Sequence, residues 1–266
     1  MFKAYHSVKL LKTVQMIGFI SFFAGWFFID FYALAILFCF LFGVLGQGIG
    51  LHRYFSHKSF ETGYIRHRLL ILFSVLSTTG SILHYAAGHR YHHAKSDTEQ
   101  DIHSPHYGSW IHAFFSWFDK DKLKNIPLIY MKNLVKDKNV VFSHNWYWHI
   151  IILYNFALFM IDPRLVIACY LIPVGYTRFS GGIQSMLLHM NIRWINYRNY
   201  EVKDQSHNSW LFNILTFGEG YHNNHHRKPN DYNFAHRWYE FDPTAMVIRT
   251  CFADNKIVDT TQLKKG

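Results

Sequence analysis

The chain has 266 residues, half of them hydrophobic and 19% aromatic, which excludes a disordered polymer. Its three cysteines exclude a disulfide scaffold and point to reduced thiols. A formal charge of +10 calls for an anionic partner or surface. The mean hydropathy of −0.03 is ordinary for a soluble protein, but it averages over segments of very different character.

The N-terminus, MFKAYHSVKLLK, is basic and lacks a small-residue cleavage site, so no cleaved signal peptide is expected. Thr13 to His52 is forty residues with one formal charge, Asp30. Asp30 divides it into Thr13–Ile29 and Phe31–Leu51, each about the length of a membrane-crossing helix, which predicts a helical hairpin with a tight turn. Leu69–Leu83 is apolar but short for a span. Asn139–Ile161 has no Asp, Glu, Lys or Arg. Asp162-Pro163-Arg164 then reads as a turn, with Asp162 as N-cap and Pro163 at the first helical position. Leu165–His189 returns, with Arg178 as its one charge and a kink expected at Pro173. Of the 27 Lys and Arg, 25 lie outside the hairpins. The positive-inside rule puts the N-terminus, middle and C-terminal region in the cytoplasm.

Eight of the 19 histidines fall in three short windows: His52 and His57 in HRYFSH, His89, His92 and His93 in GHRYHH, and His222, His225 and His226 in YHNNHH. In the second and third windows the offsets i, i+3 and i+4 share one helical face, so three imidazoles are expected to converge on one point. His52 and His57 are five apart, about 140° around an ideal helix, which predicts a helix end or bend. Imidazole suits iron, zinc, copper or nickel. Eight are too many for one tetrahedral zinc and suit two metals with three or four nitrogens each.

A shared centre requires all three windows on one side of the membrane. Leu69–Leu83 must then be an interfacial or protein-covered helix. The expected fold is an all-α integral membrane protein: four transmembrane helices in two hairpins with a cytoplasmic helical cap holding a dimetal site. Residues 1–266 form one unit, with spans at about 13–29, 31–51, 145–161 and 165–189. The cap is 52–144 and 190–266, and both termini are cytoplasmic.

At GLHRYFSHKSF, GHRYHHAKSDTEQDIHSP, GEGYHNNHH and the closing YEFDPTAMVIR, the sequence resembles the membrane fatty-acyl desaturases of the stearoyl-CoA, delta-9 type. The resemblance runs from about Leu10 to Arg249. It implies an oxidoreductase that uses O2 to insert a cis double bond into a saturated acyl chain carried by CoA, a lipid or a carrier protein. It implies two iron ions, which zinc can replace in overexpressed protein, and electrons from a separate carrier such as a ferredoxin or cytochrome b5. The implied metal-binding and catalytic residues are His52, His57, His89, His92, His93, His222, His225 and His226, with His189 as a ninth ligand. Where family members have an Asn that binds metal through water, this chain has Ser185. A lipid bilayer is the expected environment, a bacterial inner membrane before endoplasmic reticulum, and no nucleic-acid partner is expected. A membrane di-iron hydroxylase of a fatty, alkane or carotenoid chain is the alternative enzyme, and a metal-binding or transport protein the alternative class.

Metal-bound imidazoles usually donate their other N–H to a carboxylate or carbonyl. Asp97, Glu99, Asp101 and Glu219 are candidates for that role, and His103 for a supporting one. Thr177 and Phe179 are candidate walls of an acyl tunnel. Arg178 is expected to pair with an acid or headgroup, or to snorkel. The charged run Asp119–Lys138 is a candidate dock for the electron carrier, anionic lipid or a phosphorylated acyl carrier.

Overall fold

The computed structural model describes residues 8–115 and 126–254. The start of the basic N-terminus and part of the run Asp119–Lys138 lie outside the described residues. Among the described residues the chain is helical, with two isolated antiparallel bridges, Tyr197 to Asn208 and Asn208 to Tyr221.

Helix α1 (Val8–Ala24) tightens into a 3-10 turn over Gly25–Phe28. After a turn at Asp30, α2 (Tyr32–Phe40) continues as a π-helix over Leu41–Ser56. These two stretches, of 21 and 25 residues, are long and apolar enough to cross a membrane. Helices α3 (Tyr64–Leu76) and α4 (Ile82–Lys95) follow, so the single helix expected over Leu69–Leu83 is two. The hydroxyls of Ser77 and Thr78 bond the carbonyls of Ser74 and Leu76, competing with helical pairing. Gly80, at φ 124°, then takes a conformation that favours glycine. At 13 residues, α3 is about 20 Å long, short of the ~30 Å hydrocarbon core. It buries Leu70, Ile71, Val75 and Leu76 and leaves Tyr64, Ile65, Leu69 and Leu72 exposed.

After the short α5 (Trp110–Phe114), α6 (Lys138–Asn145) and the apolar α7 (Tyr147–Ile161) lead to the second tight turn. Asp162 caps α8 (Pro163–Val166) as expected, accepting from the Arg164 N–H at 2.8 Å. A π turn over Ile167–Leu171 then joins α9 (Ile172–Ser185), and the break expected at Pro173 takes this form. Proline cannot donate to the preceding turn, and the wider winding absorbs the missing bond. Arg164 pairs with Asp162 at 2.7 Å and with Asp30 at 2.6 Å. The two tight turns are therefore tied together at one end of the molecule. Along the bundle α1 meets α9 backbone to backbone: a Cβ at Gly175 would overlap the Gly18 carbonyl.

At the opposite end a 3-10 turn over Leu187–His189 closes α9. Three short helices complete the described cap, α10 (Trp210–Leu215), α11 (His222–Arg227) and α12 (Pro243–Val247). The largest apolar cluster joins the π-helix (Val44, Ile49, Leu51, Phe55) to α3, α4 and Ile248, and so fixes the helices that carry the first two histidine windows against one another.

Candidate metal centre

The π-helix decides the geometry of the first window. Its i→i+5 hydrogen bonds stack residues five apart, and the His57 N–H donates to the His52 carbonyl at 3.2 Å. His52 and His57 therefore lie one above the other, with ring centroids 5.3 Å apart. The helix does end at His57, but no bend separates the pair.

The second and third windows sit on α4 and α11, and each is divided between two sites. Relative to His89, His92 lies about 60° one way around the helix and His93 about 40° the other. His89 and His93 join His52, His57 and His225 in one group of five. His92 joins His189, His222 and His226 in a group of four. In the third window the i,i+4 pair, His222 and His226, goes to the group of four, and His225 crosses to the group of five. The expectation that each window converges on one point is thus corrected: three histidines spread over 100° of a helix reach two points better than one. All nine histidines lie in the two groups, five and four in place of three or four each.

Within each group the nitrogens that meet are Nε2. The separations are 2.9 Å for His52 and His225, 2.8 Å for His57 and His89, 3.1 Å for His89 and His93, and 2.8 Å for His93 and His225. His222 lies 3.0 Å from both His189 and His226. Two nitrogens bound at right angles to one ion, each ~2.1 Å from it, are about 3 Å apart. The spacing and the all-imidazole donor set therefore fit a transition metal in each group.

On four of the nine rings the opposite nitrogen, Nδ1, meets a carboxylate and carries the proton. His52 Nδ1 donates to Glu219, and His92, His189 and His226 donate to Asp101, Asp97 and Asp204 at 2.9, 2.8 and 2.9 Å. A carboxylate on Nδ1 leaves the Nε2 lone pair facing inward and makes it more basic. Burial and the neighbouring imidazoles hold His57, His89, His93, His222, His225 and His226 well below the usual imidazole value. These six are neutral at pH 7, the state that binds metal. For His92 burial lowers the value, but the charge and hydrogen bond of Asp101 outweigh it and the net shift is upward.

Three of the four acids singled out in the sequence make these contacts; Glu99 is exposed and makes none of them. His103 stacks on His92, with centroids 4.5 Å apart, and its backbone N–H donates to Asp101. Sequence reasoning missed Asp204, which reaches His226 from a loop 22 residues away and carries no local signal. It also missed the support behind Glu219. Arg53, fully buried, donates to Glu219 through Nε (3.2 Å) and Nη2 (2.9 Å) and to Asp242 through Nη1 (2.8 Å). Nη1 and Nη2 also reach the carbonyls of Tyr232 and Gly218, and the guanidinium lies 3.8 Å over the Phe234 ring. Gly218, at φ 113°, passes so close to Asp242 that a Cβ there would collide with the carboxylate. The signal was the arginine inside the first window and the aspartate of YEFDP, two charges with no separate role assigned.

A cavity opens from the histidines toward the spans, lined among others by Gln47, Tyr85, His89, His92, Arg178 and His222. Thr177 and Phe179 do not line it. Thr177 bonds the carbonyls of Ser77 and Val174, and Phe179 packs on Phe22 and Phe23. Helix packing takes both. Ser185 lines the cavity, but its hydroxyl is directed at the carbonyls of Ala113 (2.5 Å) and Gly181 (2.8 Å). Arg178 neither snorkels nor pairs with an acid among the described residues: it is 2% exposed and lines the cavity.

Residues 14–261 match the model of the fatty acid desaturase family. The chain belongs to that family. It is 27% identical over 249 residues to an sn-1 stearoyl-lipid 9-desaturase of Synechocystis sp., covering 92% of this chain and 76% of that protein. It is 29% identical over 207 residues to acyl-CoA desaturase 1 of Saccharomyces cerevisiae, covering 75% of this chain but 40% of the longer yeast protein. It is 28% identical over 218 residues to a hex-5-enoyl-[acyl-carrier protein] acetylenase of Moorena producens, covering 75% of this chain and 67% of that one. As a fatty acid desaturase it is an oxidoreductase, and its two histidine groups are compatible with a metal site.

Two predictions follow from this geometry. Glu219→Gln keeps the shape but removes the charge shared by His52 and Arg53, and is expected to weaken metal binding about 10- to 100-fold; metal-buffered titration checks it. In metal-stripped protein, the six depressed histidines take up protons in the unfolded chain near pH 6.5 but in the folded chain only well below it. The unfolded state then binds more protons, so stability falls as pH drops below about 6.5. His92, with its raised value, opposes the other six. Thermal melts at pH 7.5 and 5.5 should show the loss.

Proposed function

We propose that this desaturase uses O2 to place a cis double bond, at the delta-9 position, in a saturated fatty-acyl chain. In this reading His52, His57, His89, His93 and His225 hold one iron, and His92, His189, His222 and His226 the other. The observation that carries it is the meeting of nine imidazoles in two adjacent groups, with Nε2 atoms about one coordination edge apart. Two bound irons would supply the O2 chemistry needed to break unactivated C–H bonds, which no side-chain acid or base can attack.

The chain's own residues do the rest. Glu219, Asp101, Asp97 and Asp204 hold the Nδ1 protons and fix the ring orientations. The cavity beside His89, His92 and His222 positions an acyl chain, and the bond nearest the metals is the one that reacts. The names of the three relatives cover lipid-, CoA- and carrier-protein-linked chains, and the proposal concerns the acyl chain common to them. Electrons come from a separate carrier, a ferredoxin or cytochrome b5, docked on the basic cap.

The proposed topology is four spans in two hairpins within a single 266-residue unit, with both termini cytoplasmic in a bacterial inner membrane. It is supported by the two long apolar helices, by the apolar α7, and by the Arg164 clamp between the two tight turns.

Expression in a host with a working donor, followed by mass spectrometry of total fatty acids, tests the reaction. New monounsaturated chains with the bond at carbon 9 are expected; hydroxylated chains alone would replace this reading with a hydroxylase. Metal analysis tests the ligands. His226→Ala leaves three nitrogens in its group and should lower bound metal from about two equivalents to about one. His93→Ala leaves four in the other group and should cost less. Two full equivalents in His226→Ala would contradict the assignment.

A further inference from the structure

The chain buries two arginines completely and treats them differently. Arg53 has a hydrogen-bond acceptor for each of its three guanidinium nitrogens, two carboxylates among them. Arg178 makes one contact, a long one, from Nη1 to the Phe115 carbonyl at 3.3 Å. Its Nε and Nη2 are buried and have no acceptor among the described residues. Burying a guanidinium without a partner is costly, and Arg53 shows how this fold meets that cost where a partner is built in. Arg178 lines the cavity that also borders His89, His92 and His222.

The unsatisfied pair identifies the ligand chemistry. Nε–H and Nη2–H lie on the same edge of the guanidinium and point the same way, the fork that receives the two oxygens of a carboxylate. The cavity lies beside the histidine groups in a protein of the fatty acid desaturase family, with Gln47, Thr79 and Gln184 also in its wall. We propose that Arg178 is a carboxylate-binding site inside the acyl cavity, and that the chain bound there is an alkyl carboxylate. It rests on the reading of this cavity as the acyl site. The carboxylate has two sources: the head of a non-esterified fatty acid, or a carboxyl at the far end of an esterified chain. Either way the attached hydrocarbon runs past His89, His92 and His222, so Arg178 sets which substrates bind and in which direction.

The test is direct binding, with no turnover needed, so its failure leaves the desaturase reading standing. Full-length protein in nanodiscs is titrated with radiolabelled palmitate, with empty nanodiscs as the blank. Methyl palmitate and the monomethyl ester of hexadecanedioic acid serve as competitors. Wild-type protein should bind palmitate saturably, and methyl palmitate should compete at least tenfold more weakly. Whichever of palmitate and the half-ester binds more tightly names the end that Arg178 holds. Arg178→Met should weaken palmitate binding tenfold or more at unchanged metal content, with Arg178→Lys intermediate. Equal binding of palmitate and methyl palmitate by the wild type, which requires no variant, would overturn the proposal. So would wild-type palmitate affinity in Arg178→Met.

Discussion

Imidazoles that crowd around one point need their ring orientations fixed from outside. The bonds from Nδ1 of His52, His92, His189 and His226 to Glu219, Asp101, Asp97 and Asp204 supply that constraint, and much of the fold serves it. Each carboxylate stands in a part of the chain that has to be held in register. Glu219 is locked by Arg53, which is locked by Asp242, which also caps α12 through the Ala245 N–H. The C-terminal segment is thereby bolted to the end of the second long helix through a single buried guanidinium. Asp97 accepts a hydrogen bond from His189 Nδ1 beyond the end of α9 and another from the Gln205 backbone, so it joins three distant stretches at one carboxylate.

The need to aim several imidazoles at one point also accounts for the unusual winding of the helix that carries the first window. An α-helix places residues five apart on different faces, whereas the π-helix over Leu41–Ser56 stacks His52 and His57. It also permits close packing. Gly46 and Gly50 lie against α3 so tightly that a Cβ on either would overlap neighbouring atoms. This winding costs helix stability, and such deviations gather at functional sites. Here the gain is a second imidazole aimed at the same point.

Much of the fold was legible because membrane helices announce themselves by missing charge. The gaps on either side of Asp30, and the Asp162-Pro163 cap, correspond to elements of the structure. The histidine spacing showed which residues would meet. It did not show that each H-x-x-H-H window would serve two groups, because that depends on a second helix approaching from the other side. Asp204 was invisible for a related reason: its partner is set by tertiary contact, and nothing in the local sequence distinguishes it from a solvated charge. Leu69–Leu83 misled because it carries no charge from end to end, while the polar run Ser77–Ser81 stops the helix through side-chain bonds to the backbone.

The contacts that close the two groups join residues far apart in the chain. His52 meets His225 across 173 positions, and His93 meets His225 across 132. Loops of that length are closed at an entropic cost that grows slowly with length, and imidazole contacts between neutral rings do not repay it. The closure must come from elsewhere, from the apolar cluster joining the π-helix to α3, α4 and Ile248 and from the buried ion pairs of Arg53. A metal bound there would add its free energy to a fold in which six of the nine imidazoles are already held neutral. In such an arrangement, damage to Arg53 or Asp242 reaches the group of five histidines through Glu219 and His52, although neither residue belongs to it.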